Sequence, residues 1–145
     1  MKQSGRVSLL TLIAGASVLL VAALLLFSRE SLTTVGARFM GALARGDVNT
    51  LTEMSFVGNR DKEQVRKDWE FAVNTAGRYY NFRYRILSSV QHDPKTASVR
   101  MQVIRDADNP SAYEENRQLP LVKVGDDWKV DVKGLSRDIY PGLPR

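Results

Sequence analysis

The 145-residue chain contains no cysteine. That absence removes disulfides, thiolate metal sites, a cysteine nucleophile and a lipidated N-terminal cysteine. Histidine is nearly absent: His92 stands alone. It lies in His92-Asp93-Pro94-Lys95, a turn sequence. Acid–base use of the His92–Asp93 neighbours is the competing reading, and metal binding would need ligands that do not stand nearby. Charge of one sign is not concentrated. The formal net charge is +5, from 21 Lys plus Arg against 16 Asp plus Glu. Spread along the chain, it gives no nucleic-acid footprint. Internal repeats and long low-complexity linkers are missing too.

What is present begins with an apolar run. Residues 7–27, VSLLTLIAGASVLLVAALLLF, carry no charged side chain over 21 positions. As a helix rising about 1.5 Å per residue, the run spans roughly 31 Å, the thickness of a bilayer core. A cleaved signal peptide is the alternative reading. Its apolar region is normally about 7–15 residues, and no small-x-small site follows Phe27, so an uncleaved signal anchor is expected. Lys2 and Arg6 precede the run with no acid beside them. Positive-inside therefore puts residues 1–6 in the cytoplasm and the rest outside, on a bacterial inner membrane. The run has no GxxxG and no ionisable group, so it reads as a lone anchor.

Residues 28–145 carry a net charge of about +3 and are long enough for one core. Ser31 to Arg45 reads as an amphipathic helix with Leu32, Val35, Phe39, Ala42 and Leu43 on one face, stopped by Gly46. Asp47 caps a short second helix, in which Leu51 and Met54 face inward. Ser55 to Arg60 reads as a turn. Asp61 opens a third helix through Ala76, with Val65, Trp69, Ala72, Val73 and Ala76 on its apolar face and Gly77 as its stop. The period then changes from 3.6 to 2. Tyr80, Phe82, Tyr84, Ile86 and Ser88 alternate with polar residues; Ala97, Val99, Met101 and Val103 do the same. A third strand covers Tyr113 to Val124. A bulge near Pro120 would bring Leu119, Leu121, Val122 and Val124 to one face. Gly125-Asp126-Asp127 turns into a last strand with Trp128, Val130 and Val132 inward. From Gly134 the chain is irregular. The expected organisation is a cytoplasmic N-terminus at 1–6, an anchor at 7–27, an α+β domain at 28–134 and a tail at 135–145. In that domain three helices cover a curved four-stranded antiparallel sheet.

Two local patterns carry a resemblance. One is Ala37-Arg38-Phe39-Met40-Gly41-Ala42-Leu43-Ala44-Arg45-Gly46-Asp47 followed by Leu51. The other is the closing hairpin Leu121-Val122-Lys123-Val124-Gly125-Asp126-Asp127-Trp128-Lys129-Val130-Asp131. In this order, over roughly residues 31–133, they resemble the nuclear-transport-factor-2-like (cystatin-like cone) superfamily. Bacterial members that pair one span with such a domain include type IV secretion components, transporter-associated proteins and proteins of unknown function. The resemblance implies a cone-shaped fold, and it places isomerase, cyclase or dehydratase chemistry in the cone of some members.

That chemistry needs an inward carboxylate or histidine. The inward list (Phe82, Tyr84, Ile86, Val99, Met101, Val103, Leu119, Trp128, Val130 and Val132) contains neither, so no catalytic, cofactor or metal site is assigned. Trp69, Tyr80, Tyr84, Met101 and Trp128 form a candidate apolar pocket, with core packing as the competing reading. Arg83, Arg85, Arg100, Lys129 and Lys133 alternate onto the outer sheet face with Leu87 and Ile104. This face is a candidate for acidic lipid headgroups, an acidic envelope protein or a second copy of the chain. A solvated face offset by acids is the plainer alternative.

The leading expectation is a single-pass membrane protein whose extracytoplasmic domain is a non-catalytic interaction module. An apolar-ligand module comes second and an isomerase-like enzyme third. Because the chain lacks cysteine, Ser89→Cys should react with a membrane-impermeant maleimide in intact cells. Labelling only after lysis would reverse the orientation.

Overall fold

The structure, a computed structural model, describes residues 17–18 and 30–145. The expected anchor therefore lies, apart from Ser17 and Val18, outside the described residues. Among the described residues no helix is long and apolar enough to cross a membrane. Residues Ser31–Arg145 form one compact unit.

Helix α1 is Leu32–Arg45. The Ser31 hydroxyl accepts from the Thr34 N–H at 3.2 Å, satisfying a donor left free at the helix start. Gly46 adopts φ 68°, the left-handed conformation that ends the helix. Its inner stripe is Val35, Phe39, Met40, Ala42 and Leu43, all buried. Helix α2, Val48–Met54, is capped by Asp47, which accepts from the Thr50 N–H at 3.1 Å. Helix α3, Lys62–Phe71, starts at the cap Asp61.

The third helix does not run evenly to Ala76 as the sequence suggests. Ala72–Ala76 is a π turn, and the Gly77 N–H reaches back to the Ala72 carbonyl at 2.7 Å. Widening the ladder rotates the last turn, so Ala72 is buried while Ala76 is exposed.

The sheet has five strands, not four: β1 Ser55–Phe56, β2 Phe82–Gln91, β3 Thr96–Arg105, β4 Glu114–Val124 and β5 Asp127–Asp131, in the order β1-β5-β4-β3-β2. Strands β2 to β5 form the expected antiparallel meander. The added strand comes from the segment read as a turn. Leaving α2, the chain lies parallel to β5, with Ser55 opposite Val130 and Phe56 opposite Asp131. Two residues are too few for a period to be visible, so only tertiary pairing reveals the strand.

The bulge is also elsewhere. Strand β4 pairs with β3 in unbroken register through Ser98↔Pro120. The Lys123 N–H donates toward β3, to the Lys95 carbonyl at 2.8 Å. Pro120 has the opposite parity, so its nitrogen points toward β5. There the ladder has already ended at Leu121↔Val130, and the missing N–H costs nothing. Val122 and Val124 therefore stay on the outer face with Pro120. The register shift falls instead between Ile86 and Ser88. It turns Ser89 to the inner face opposite Val99, so Ser111, exposed in the loop after β3, is the better position for the labelling cysteine.

The inner face and the three helices enclose Trp69, Phe39, Met40, Leu51, Val99, Met101, Leu119 and Val130, all fully buried. Strand β5 stops at Asp131, so Val132, expected in the last strand, lies in the 3₁₀ turn Val132–Gly134, and the segment after it is irregular. It nevertheless belongs to the core: Leu135, Ile139, Tyr140 and Leu143 are buried. Tyr140 packs edge-on to Tyr80 at 5.2 Å and lies directly over Gly77. A Cβ at Gly77 would stand 2.3 Å from the Tyr140 hydroxyl and 2.4 Å from its ring. Gly77→Ala is therefore expected to lower stability by about 2 kcal/mol in urea denaturation, an overpacking cost. In a Tyr140→Ala background the same change should cost much less. Equal costs in the two backgrounds would mean that the C-terminal segment does not dock there.

Candidate functional site

Three regions can be weighed for function: the interior, the polar end of the inner face and the outer face. The candidate pocket residues divide between core and rim. Trp69 and Met101 are fully buried. The Trp69 indole N–H donates to Ser55 Oγ at 2.9 Å, and its ring meets Phe39 edge-on at 5.9 Å. Tyr84 is half-buried and its hydroxyl donates to the Ala37 carbonyl at 3.2 Å. Trp128 is half-buried at the far end of the sheet, under the Lys123 ammonium at 5.9 Å. Tyr80 lies at the opposite end, its hydroxyl 3.3 Å from the Asp138 carbonyl. The five do not converge on one cavity. Trp69 and Met101 belong to the core cluster with Phe39, Val99 and Leu119.

The inner face does contain a carboxylate, contrary to the sequence reading. Leu121, Leu119, Arg117 and Glu115 share one parity of β4, opposite Ala97, Val99, Met101 and Val103. The Glu115 side chain is only 12% exposed and pairs with both Arg105 and Arg117, which are 40% and 25% exposed. Arg117 also lies 3.8 Å from Asp138. The signal was available: the alternation that marks Leu119 and Leu121 continues back to Glu115. It is masked because charged residues are ordinarily assigned to the wet face.

The Arg105 hydrogen bond is the main influence on Glu115. With the nearby Arg117 charge it outweighs burial and holds the carboxyl below the usual carboxylate range. A carboxylate so held is a weak base and is not a proton donor at neutral pH. Burial pushes the hydroxyls of Tyr80 and Tyr140 up, so both stay protonated. His92, in its turn, approaches Ser98 Oγ at 2.9 Å. Its neighbour Asp93 accepts from the Lys95 and Thr96 N–H groups at 2.7 and 2.8 Å, which commits that carboxylate to the turn. Among the described residues no cluster of three His, Cys, Asp or Glu could hold a metal.

The outer face is largely as the alternation predicts. Arg83 and Arg85 on β2 stand opposite Ile104 and Gln102, Arg100 on β3 opposite Gln118, and Lys129 on β5 opposite Val122. Lys133 departs from it. Strand β5 ends at Asp131, and Lys133 sits in the following 3₁₀ turn beside Gly58. Arg83 lies 3.6 Å from Asp108 and Arg85 3.8 Å from Glu114, both exposed pairs of little net strength. Arg100 and Lys129 form no ion pair among the described residues. Val90 and Val124 on this face are 47% and 39% exposed, and Leu87 at the bulge is 44% exposed.

Glu115 yields a pH-dependent prediction. Its folded-state pKa is depressed, so its contribution is complete above the ordinary glutamate value of about 4.3 and disappears as pH falls through the lower folded value. Glu115→Gln should cost about 1–2 kcal/mol at pH 7, below the cost at a fully buried pair because Arg105 is partly solvated. The gap from wild type should close on acidification below pH about 4. A constant gap from pH 7 to 2 in urea titrations would contradict the assignment.

No family model and no curated protein matches the chain. Solved structures with a similar backbone include an NTF2-like protein of unknown function from Shewanella oneidensis, at 11% identity and TM-score 0.45, covering 66% of this chain and 88% of that one. A ketosteroid isomerase-like protein from Erwinia carotovora atroseptica is similar at 16% identity and TM-score 0.44, with 66% and 85% covered. A protein of unknown function with a cystatin-like fold from Nostoc punctiforme is similar at 16% identity and TM-score 0.43, with 66% and 80% covered.

Proposed function

We propose that the chain is a single-pass membrane protein whose α+β domain is a non-catalytic interaction module of the cell envelope, working through the outer face of its sheet. The observation that carries this reading is the contrast between the two faces. The inner face is filled by Trp69, Met101 and their neighbours, and its single carboxylate is neutralised by two arginines. The outer face offers Arg83, Arg85, Arg100 and Lys129 beside exposed Val90 and Val124. Cations flanking small apolar patches suit an acidic protein surface, because charge sets the encounter and apolar contact slows the exit. The apolar run at residues 7–27 supports a membrane address and limits the partner to a membrane resident or neighbour.

The test is in-cell photo-crosslinking from a probe at Gln102, between Arg85 and Asn116 on this face. A discrete adduct is expected, either with another protein or with a second copy. Arg83→Glu combined with Arg85→Glu should reduce it by about tenfold or more, since like charges across an interface repel. An undiminished adduct would overturn the reading.

A further inference from the structure

The C-terminal segment closes against the π turn and leaves a cleft of about 310 Å³, lined by Arg137, Tyr140, Gly142, Leu143 and Arg145. Small residues bring the two segments together: a Cβ at Gly142 would be 2.8 Å from the Ala76 Cβ and 3.3 Å from the Ala72 Cα. The cleft shares Tyr140 and Leu143 with the edge of the core and has no residue in common with the outer sheet face.

Its lining is basic. Two guanidinium groups line it, and no acidic side chain does. Arg145 donates to the carbonyls of Lys133 at 2.8 Å, Leu135 at 3.2 Å and Val132 at 3.3 Å. These neutral acceptors fix the guanidinium without cancelling its charge, and they leave donors free, since arginine has about five N–H groups. Arg137 is exposed and makes no hydrogen bond or ion pair among the described residues. Two acids stand nearby. Asp138 lies 3.8 Å from Arg117, and Asp68 pairs with Arg60, which itself donates to the Arg145 carbonyl at 2.8 Å. Buried Tyr140 and Leu143 supply the apolar part of the lining.

We infer that this cleft binds a small organic anion, a carboxylate or phosphate monoester on a compact apolar body. A guanidinium group matches the oxygens of either head group, two line this cleft, and Arg145 is already oriented by its three carbonyls. The apolar part of the lining takes the body, and the volume lies at the small end of ligand sites, which begin at about 300 Å³. The inference goes beyond the proposed interaction role and does not depend on it.

The experiment uses the full-length ¹⁵N-labelled chain in a non-ionic detergent, titrated with sodium benzoate, phenyl phosphate and inorganic phosphate. Saturable shifts of the Gly142 and Leu143 amides are expected with benzoate or phenyl phosphate, and the tighter of the two identifies the head group. Arg137→Ala, a surface change that leaves the packing intact, should weaken that affinity by about tenfold, and Arg137→Lys by less. The Arg83→Glu, Arg85→Glu variant should bind as wild type does. No saturable shift with either organic anion at about 10 mM would overturn the inference, as would unchanged affinity in Arg137→Ala. Inorganic phosphate binding as tightly as phenyl phosphate would remove the apolar component and overturn the assigned ligand class.

Discussion

Trp69 lies where three elements meet. It projects from α3, its ring packs edge-on to Phe39 of α1, and its indole N–H is bound by Ser55 at the start of β1. Ser55 in turn donates to the Leu51 carbonyl of α2 at 2.6 Å. One indole thus closes the cover over the sheet and satisfies its own polar atom within the core. The two-residue strand β1 exists because this arrangement holds Ser55 alongside Val130. Among the described residues no buried side-chain nitrogen or oxygen lacks a partner, as a core of this polarity requires.

The price of closing the interior with aromatics is that little room remains in it. Polar groups that enter the inner face collect at its end, where Arg105, Glu115, Arg117 and Asp138 surround the tyrosine pair Tyr80 and Tyr140. Two cations and two acids balance there, so the cluster serves as a seam between the sheet and the C-terminal segment. Beyond it, the same segment carries Arg137 and Arg145, which line the cleft. Charge is thus tightly paired where it is buried and only loosely paired on the outer face, where Arg83 and Arg85 lie 3.6 and 3.8 Å from Asp108 and Glu114.

Much of the architecture is legible from periodicity. Helix α1 with its Gly46 stop, helix α2 with Asp47, and strands β2, β3 and β5 follow from apolar spacing and cap chemistry alone. The departures share a cause: each depends on a neighbour outside its own element's period. Pro120 suggests a bulge when β4 is read alone. It is tolerated without one because β5 has already stopped pairing on the side where its N–H is missing. Glu115 looks like a solvent-facing acid until Arg105 and Arg117 are beside it. The π turn has no signature in Ala72–Ala76, because its extra residue accompanies a C-terminal segment packed against it.

What the sequence by itself determined is the α+β order of three helices and a four-strand meander, the alternation that places Arg83, Arg85, Arg100 and Lys129 on one face, and an apolar run of bilayer length at residues 7–27. These are local properties, set by a period of 3.6 or 2 and by the length of an uncharged stretch. What only the tertiary structure decided is where the chain's ends of elements meet. The fifth strand, the site of the bulge, the buried Glu115 pairs and the arginine-lined cleft belong to this class. The fifth strand joins residues 75 positions apart, and the others, though closer in sequence, likewise depend on desolvation and close packing that no single segment possesses before the others arrive.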